Sequence, residues 1–316
     1  MKAVICGKYG APEVLHLQEV AKPQPKANEV LIKIVATTAH IGDIKIRAFK
    51  PGMGRIKDLF IKPFMRIFIG FTGPRKKILG MDLSGEIEAV GKDVSRFQVG
   101  DQIFASSEMQ FGAYAEYLCL HQDSAIASKP NNMSHIEAAP VPNGGLTALL
   151  ICRKAHIQQG QKMLIYGASG SVGTYALQLA KYFGAEVTAV CSTSNLDLVA
   201  SLGADKTVDY TQKDFSQTDI RYDVVFDAVG KASSAQCKAI LNKGGVYLNV
   251  LTSLSSLRLK SEDLVYMREL IEARHLQSAI DRCYPLEDIV EAHRYVEKGH
   301  KKGNVVITIA PNNISE

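Results

Sequence analysis

A chain of 316 residues, 46% hydrophobic and 22% charged, carries enough apolar material for a full core, and its length argues for two domains. The formal charge of +5 is small and no long block of one sign occurs, so composition gives no electrostatic footprint for nucleic acid. No run reaches about 18 consecutive apolar residues, and the start, MKAVICGKYG, is too short in its apolar run for a secretory signal; a soluble, cytoplasmic protein without integral membrane association is expected.

In chain order, KAVIC, VLHLQEV, EVLIKIVAT, LSGEIEAVG, DQIFAS and AYAEYLCL are short β-rich runs bounded by Gly, Pro or Asp, which predicts a compact β domain over 1–123. Near NNMSHIEAAPV the period lengthens toward that of helices, with Ser134 as N-cap. From there strands alternate with amphipathic helices: MLIYG, VGTYALQLAKYFG, EVTAVCS, NLDLVASLG, KTVDY, DVVFDAVG, SSAQCKAILNKG and GVYLNV. That alternation predicts parallel pairing in a doubly wound sheet over 124–261. The final stretch, 262–316, ends with strands AIDRCY and NVVITI that are expected to rejoin the first domain. The six cysteines are scattered, with no metal spacing and no C-x-x-C, and read as reduced thiols.

The chemistry is concentrated in MLIYGASGSVGTYALQLAK. A strand runs into a turn of Gly167, Ser169, Gly170, Ser171, Val172 and Gly173, and a helix follows at once. Glycines there allow a tight bend and bring backbone N–H groups to a pyrophosphate at a helix N-terminus. Set inside a strand–turn–helix–strand unit, the triplet is a strong sign of dinucleotide binding. At the end of the second strand, where an NAD site presents Asp or Glu, this chain has Cys191, Ser192 and Thr193. NADPH is therefore expected, with Ser192, Asn195 and Tyr210 donating to its 2′-phosphate, although no Arg or Lys lies between 193 and 205 to pair with it.

The whole chain resembles the medium-chain dehydrogenase/reductase superfamily, and specifically its zinc-free quinone oxidoreductase-like branch. MKAVICGKYGAPEVLHLQEV, ILGMDLSGEIEAVGKDVSRFQVGDQIFA, GAYAEYL, YGASGSVGTYALQLAK and YPLEDIVEAHRYVEKGHKKGNVVITI carry the resemblance. It implies an α/β protein with a GroES-like β-rich catalytic domain plus a Rossmann doubly wound parallel sheet, the cofactor lying between them. Zinc-dependent relatives would place a His at Met81 and cysteines after DQIFA; residues 101–118 contain no Cys, and a thioether is a poor ligand for a zinc Lewis acid. Without metal, hydride transfer to a quinone or a conjugated enal or enone is the reaction that needs least electrophilic help.

What the resemblance implies for single residues follows from alignment on Asp43. His40 takes an Asn-like place and Lys45 a Tyr-like place in the nicotinamide pocket, both able to donate a hydrogen bond; a structural histidine and a solvated lysine are the alternatives. Asp43 is expected to order the loop. Thr147, Val229, Asn249 and Val250 fall at the nicotinamide end, and Lys302 and Asn304 lie in a basic motif that reaches the cofactor phosphates or is a solvated turn. The acceptor is then a small apolar carbonyl or quinone compound. A zinc-free NADP-dependent alcohol or ketone dehydrogenase and a non-catalytic NADPH-sensing protein remain as alternatives.

Two local features stand apart. Between Lys45 and Lys77 there are ten Lys or Arg against one Asp, interleaved with Phe and Met, which suits a cover over an apolar substrate or plain packing. After GVYLNV only TSLSSLRLK precedes the next helix, a short interval where the family has a sixth strand that pairs two subunits, so the implied homodimer is weakly supported here.

Overall fold

Residues 1–50, 63, 66–253 and 259–309 are described by the computed structural model. The first elements are β1 (Lys2–Cys6), β2 (Leu15–Glu19), β3 (Glu29–Thr38), α1 (Ile41–Arg47), β4 (Asp82–Val90), β5 (Gln102–Ser106), β6 (Tyr117–His121), β7 (Ala125–Ser128) and the single turn α2 (His135–Ala138). Next come α3 (Leu146–Ala155), β8 (Lys162–Tyr166), α4 (Ser171–Tyr182), β9 (Glu186–Cys191), α5 (Leu196–Ser201), β10 (Lys206–Asp209), β11 (Tyr222–Asp227), α6 (Ser234–Ala239) and β12 (Leu241–Asn249). The order ends with α7 (Ser261–Glu272), β13 (Ile280–Pro285), α8 (Ile289–Glu297) and β14 (Asn304–Thr308). The chain divides into two compact units, one of Met1–Pro142, Lys260–Val265 and Ile280–Glu316, the other of Asn143–Leu259 and Tyr266–Ala279.

In the first unit the main sheet has the order β13-β14-β3-β4-β5-β7, with β6 also on β3. Its pairs are antiparallel except β13 with β14. Alternation along β3 sends Val30, Ile32 and Ile34 to one core with Leu83, Ile87, Ile103, Leu120 and Ile126. A second core gathers Val4, Ile44, Leu79, Met81, Tyr114, Ile289, Val296 and Ile307, so α1 and α8 are anchored by the same apolar cluster. Each such side chain, fully buried, is worth about 1.5–3 kcal/mol. Ser134 caps α2 in a reciprocal box with Glu137, as the sequence predicts.

The second unit carries a parallel sheet in the order β10-β9-β8-β11-β12. Its central strand β8 reads as a continuous apolar run, and Met163, Leu164 and Ile165 are fully buried, as a strand covered on both faces must be. The chain builds outward from β8 to β10 and then crosses to the other side of β8 for β11. That reversal leaves a crevice beyond the C-terminal ends of β8 and β11, the place where open parallel sheets bind ligands.

Among the described residues no helix is long and apolar enough to cross a membrane. Part of the basic, aromatic stretch between Lys45 and Lys77, residues 51–62, 64 and 65, lies outside the described residues, and the cover or packing expected from it falls partly there. Between Asn249 and Ser261 no described residue forms a strand; residues 254–258 are outside the description.

Candidate active site

In the second unit, β8 delivers Gly167 to the crevice with φ +79°, and the N–H groups of Gly167 and Ala168 are held on the Val190 carbonyl at 2.9 and 3.1 Å. The three glycines of the turn differ in what they protect. A Cβ on Gly167 would lie 2.1 Å from Val229 Cγ2, and one on Gly173 would lie 2.2 Å from the Gly167 carbonyl oxygen, so both allow close packing within the protein. A Cβ on Gly170 would meet only the Gly167 oxygen, at 3.4 Å, and the space above it is open. Gly170 is also the N-cap of α4 and has no side chain to offer, so the first-turn N–H groups of Val172 and Gly173 lack a side-chain cap. An open face over uncapped donors at a helix N-terminus is an anion cradle.

The neighbouring loop is built by a residue the sequence did not single out. Asp227, fully buried at the end of β11, accepts from the backbone N–H groups of Val229, Gly230 and Ala232 at 3.0, 2.8 and 2.9 Å, and from Asn249 Nδ2 at 3.1 Å. Asn249 in turn accepts from the Leu251 N–H at 2.8 Å. One carboxylate thus fixes Val229 against Gly167 and orients Asn249, while Val250 N–H is held by the Asp227 carbonyl at 3.0 Å. Thr147 lies in the first turn of α3, and the preceding Gly144 approaches the start of α4 so closely that its Cβ would be 2.7 Å from Ser171 Oγ. The turn residue Ser169 is bonded to Asn195, whose Nδ2 donates to its Oγ at 2.9 Å.

Of the three residues expected at a 2′-phosphate, Asn195 is 5% exposed and engaged with that Ser169, Ser192 sits beside Ser194, and Tyr210 is 44% exposed with its ring 6.0 Å from that of Tyr166. Two further groups stand here. Asp209 pairs in register with Cys191 at the end of β9, and the hydroxyls of Thr193 and Thr211 hold its carboxyl below the usual range. Lys213 lines an open cavity of about 320 Å³ with Tyr166, Tyr210, Thr211, Gln212, Asp214 and Phe215. It is a cation in the loop after β10, outside the interval 193–205.

In the first unit, His40 is the N-cap of α1, and its Nδ1 accepts from the Gly42 N–H at 3.0 Å. An imidazole whose Nδ1 accepts carries its proton on Nε2. Dense surroundings, then the charges of Lys301 and Lys45, lower its pKa to about 4, so it is neutral at physiological pH. Asp43 orders the loop, as expected: its Oδ1 accepts from the Gly80 N–H at 3.0 Å and its Oδ2 from the Tyr114 hydroxyl at 3.3 Å. Burial pushes this carboxyl up to about 7, against the hydrogen bonds from Gly80, Tyr114 and His40. The Tyr114 hydroxyl is also 3.1 Å from His293 Nε2. Lys45 follows on α1. Lys302 and Asn304 fall on the turn into β14, in this same unit, where Asp281 Oδ2 holds the Lys302 N–H at 2.8 Å and Asn304 pairs with Ile280.

Met81 belongs to the core, its Cε 2.6 Å from where a Cβ on Gly42 would sit. Beside it Asp82 is buried, with Oδ2 accepting from Thr38 Oγ1 at 3.2 Å and Oδ1 without a hydrogen-bond partner. Gly80, with φ +91°, makes the turn that brings both residues here. Among the described residues no three His, Cys, Asp or Glu are grouped to hold a metal ion. A packed thioether beside one carboxyl does not fit a zinc site.

Comparison with known proteins agrees with this architecture. The family models described as "Alcohol dehydrogenase GroES-like domain" and "Zinc-binding dehydrogenase" match residues 26–131 and 171–282. The chain is 33% identical to 2-methylene-furan-3-one reductase of Solanum lycopersicum, over 98% of this chain and 80% of that protein. It is 29% identical to the chloroplastic NADPH-dependent alkenal/one oxidoreductase of Arabidopsis thaliana, over the same shares. The structure of the quinone oxidoreductase from Coxiella burnetii superposes with a TM-score of 0.84 at 29% identity, covering 98% of this chain and 99% of that one. With a GroES-like unit, a glycine cradle on a parallel sheet and relatives along nearly its whole length, the chain belongs to the medium-chain dehydrogenase/reductase superfamily, in its quinone oxidoreductase-like branch.

Proposed function

We propose that this protein is an NADPH-dependent, zinc-independent reductase of quinones or conjugated enals and enones. The observation that carries this is His40: a neutral imidazole whose tautomer is set by the Gly42 N–H, leaving Nε2–H as a donor. Such a donor polarises an acceptor oxygen without the charge a metal would bring, which suffices when conjugation spreads the developing negative charge.

NADPH, when bound, supplies the hydride. Val172 and Gly173 N–H groups hold its pyrophosphate over the open Gly170 face, and Tyr210 with Lys213 receives the 2′-phosphate end. The loop that Asp227 fixes, with Val229, Asn249 and Val250, lines the nicotinamide end, and Thr147 stands beside it. His40 Nε2–H donates to the acceptor oxygen and Lys45 adds positive potential. The named activities of the tomato and Arabidopsis relatives support the same substrate class. The test is oxidation of NADPH by the purified protein across a panel of quinones, enals and enones, with cofactor binding measured alongside. Bound cofactor with no acceptor reduced would sink the proposal.

A further inference from the structure

Residues 66–78 pack against the second core of the first unit through Ile69 and Ile78, and their backbone is pinned at several points. The Cys6 N–H donates to the Lys77 carbonyl at 2.7 Å, Ile5 bridges Ile78, and the Tyr9 hydroxyl donates to the Gly70 carbonyl at 2.8 Å. Within the segment the Arg75 N–H donates to the Ile69 carbonyl at 2.6 Å, and a Cβ on Gly73 would lie 2.4 Å from the Gly7 carbonyl oxygen.

That anchorage fixes which side chains are left in water. Phe68 is 68% exposed, Phe71 65% and Ile67 53%, and the two phenylalanines are the most exposed large apolar side chains among the described residues. Residues 66–69 are helical and Gly70 follows with φ +137°, so the chain turns directly between Phe68 and Phe71. Apolar side chains exposed singly need no explanation, but a cluster of them on a pinned turn marks an interaction site.

The rim of this cluster is basic. Arg66, Arg75, Lys76 and Lys77 are exposed, and so is Lys8, whose Cα would lie 2.9 Å from a Cβ on Gly73. No Asp or Glu occurs in 1–12 or in 66–81. A second copy of this chain, docked on the patch about a two-fold axis, would bring the same cations face to face, and so few side chains bury too little for a stable dimer. An apolar centre ringed by cations is instead complementary to acidic lipid. Phenyl rings enter the boundary between headgroups and acyl chains, and Lys and Arg meet the anionic headgroups.

We propose that this face of the first unit docks the protein on the surface of an anionic lipid bilayer, with Phe68 and Phe71 inserted and Lys8, Arg75, Lys76 and Lys77 on the headgroups. The docking is peripheral and reversible. It is independent of the reductase function, because binding is measured without turnover.

The test is co-sedimentation of the full chain with vesicles of phosphatidylcholine alone and of phosphatidylcholine mixed with phosphatidylglycerol in equal parts. Binding to the mixed vesicles only, reversed by high salt, is expected. Lys76→Gln with Lys77→Gln should weaken it by about fivefold for each cation, thus about 30-fold together. Phe68→Ser with Phe71→Ser should abolish it and leave thermal unfolding unchanged, since both side chains already face water. The chain has no tryptophan, so Phe68→Trp reports insertion directly, and its emission should shift to the blue with mixed vesicles. Equal binding to both kinds of vesicle, binding to neither, binding that either pair of substitutions leaves intact, or an emission that does not move overturns the proposal. A wild type that binds no vesicle and sediments as a dimer, split by the serine pair, overturns it as well and assigns the patch to a second copy.

Discussion

His40 has two nitrogens, one that caps a helix and one to which the proposed function gives the acceptor. Asparagine reproduces both, since its oxygen accepts and its amide donates, whereas alanine reproduces neither. His40→Ala should therefore lose about 1 kcal/mol in urea unfolding and about 100-fold in kcat, while His40→Asn should stay within a few-fold of wild type on both. Equal losses in the two variants would show that imidazole shape matters more than hydrogen bonding. Asp82 makes a separate case. Burial first, and the Asp43 charge second, hold its carboxyl well above 3.8 in the folded chain. A raised folded pKa means stability that is full below the unfolded value and is lost as pH rises toward the folded one, at about 1.4 kcal/mol per pH unit for one carboxyl. The buried His40, His135 and His293, lowered to about 4, 4 and 3 from 6.5, act oppositely, losing stability as pH falls below 6.5. Lys301 and Lys129, both lowered from 10.5, act in the same sense as the histidines at higher pH, so the carboxyl effect is read between about pH 6.5 and about pH 8, where wild-type stability should fall. Asp82→Asn should fall less over the same interval; parallel urea midpoints would contradict it.

The cradle shows at the level of elements how one motif divides its labour. Gly173→Ala forces a methyl group against the Gly167 carbonyl and should push α4 from β8, at about 1–3 kcal/mol. Gly170→Ala meets almost nothing in the protein and should leave thermal stability within about 1 kcal/mol while sharply weakening NADPH binding, read by fluorescence of the reduced nicotinamide. If Gly170→Ala binds normally, the open face is not where the pyrophosphate lies. The cradle was legible in the sequence because glycine spacing between a strand and a helix is a local constraint. The alternation of strands and helices and the Ser134 cap were legible for the same reason. Asp227 was hidden because its four donors come from a loop and from β12, and Lys213 because it stands in the loop after β10, beyond the interval in which a cation was sought. Lys302 and Asn304 read as a phosphate contact or a solvated turn because their motif is local, whereas the approach of this segment to the strand that leads into His40 comes only through the pairing of β14 with β3.

That pairing also governs the molecule as a whole. The first unit draws its strands from both ends of the chain, and β6 and β14 share one edge of β3, β6 covering Glu29–Lys33 and β14 covering Ala36–Thr38. A chain cut after Ala279 should lose hydrogen-exchange protection at Ala36–Thr38 and keep it at Glu29–Lys33; uniform loss would mean that β14 supports the entire strand. During synthesis the consequence is one of order. All five strands of the second sheet lie between residues 162 and 249, so that sheet has its full set before β13 and β14 exist. The edge of β3 that leads into His40 stays bare until β14 has been made, so the second sheet can close while the strand that carries the chain to His40 still lacks its neighbour.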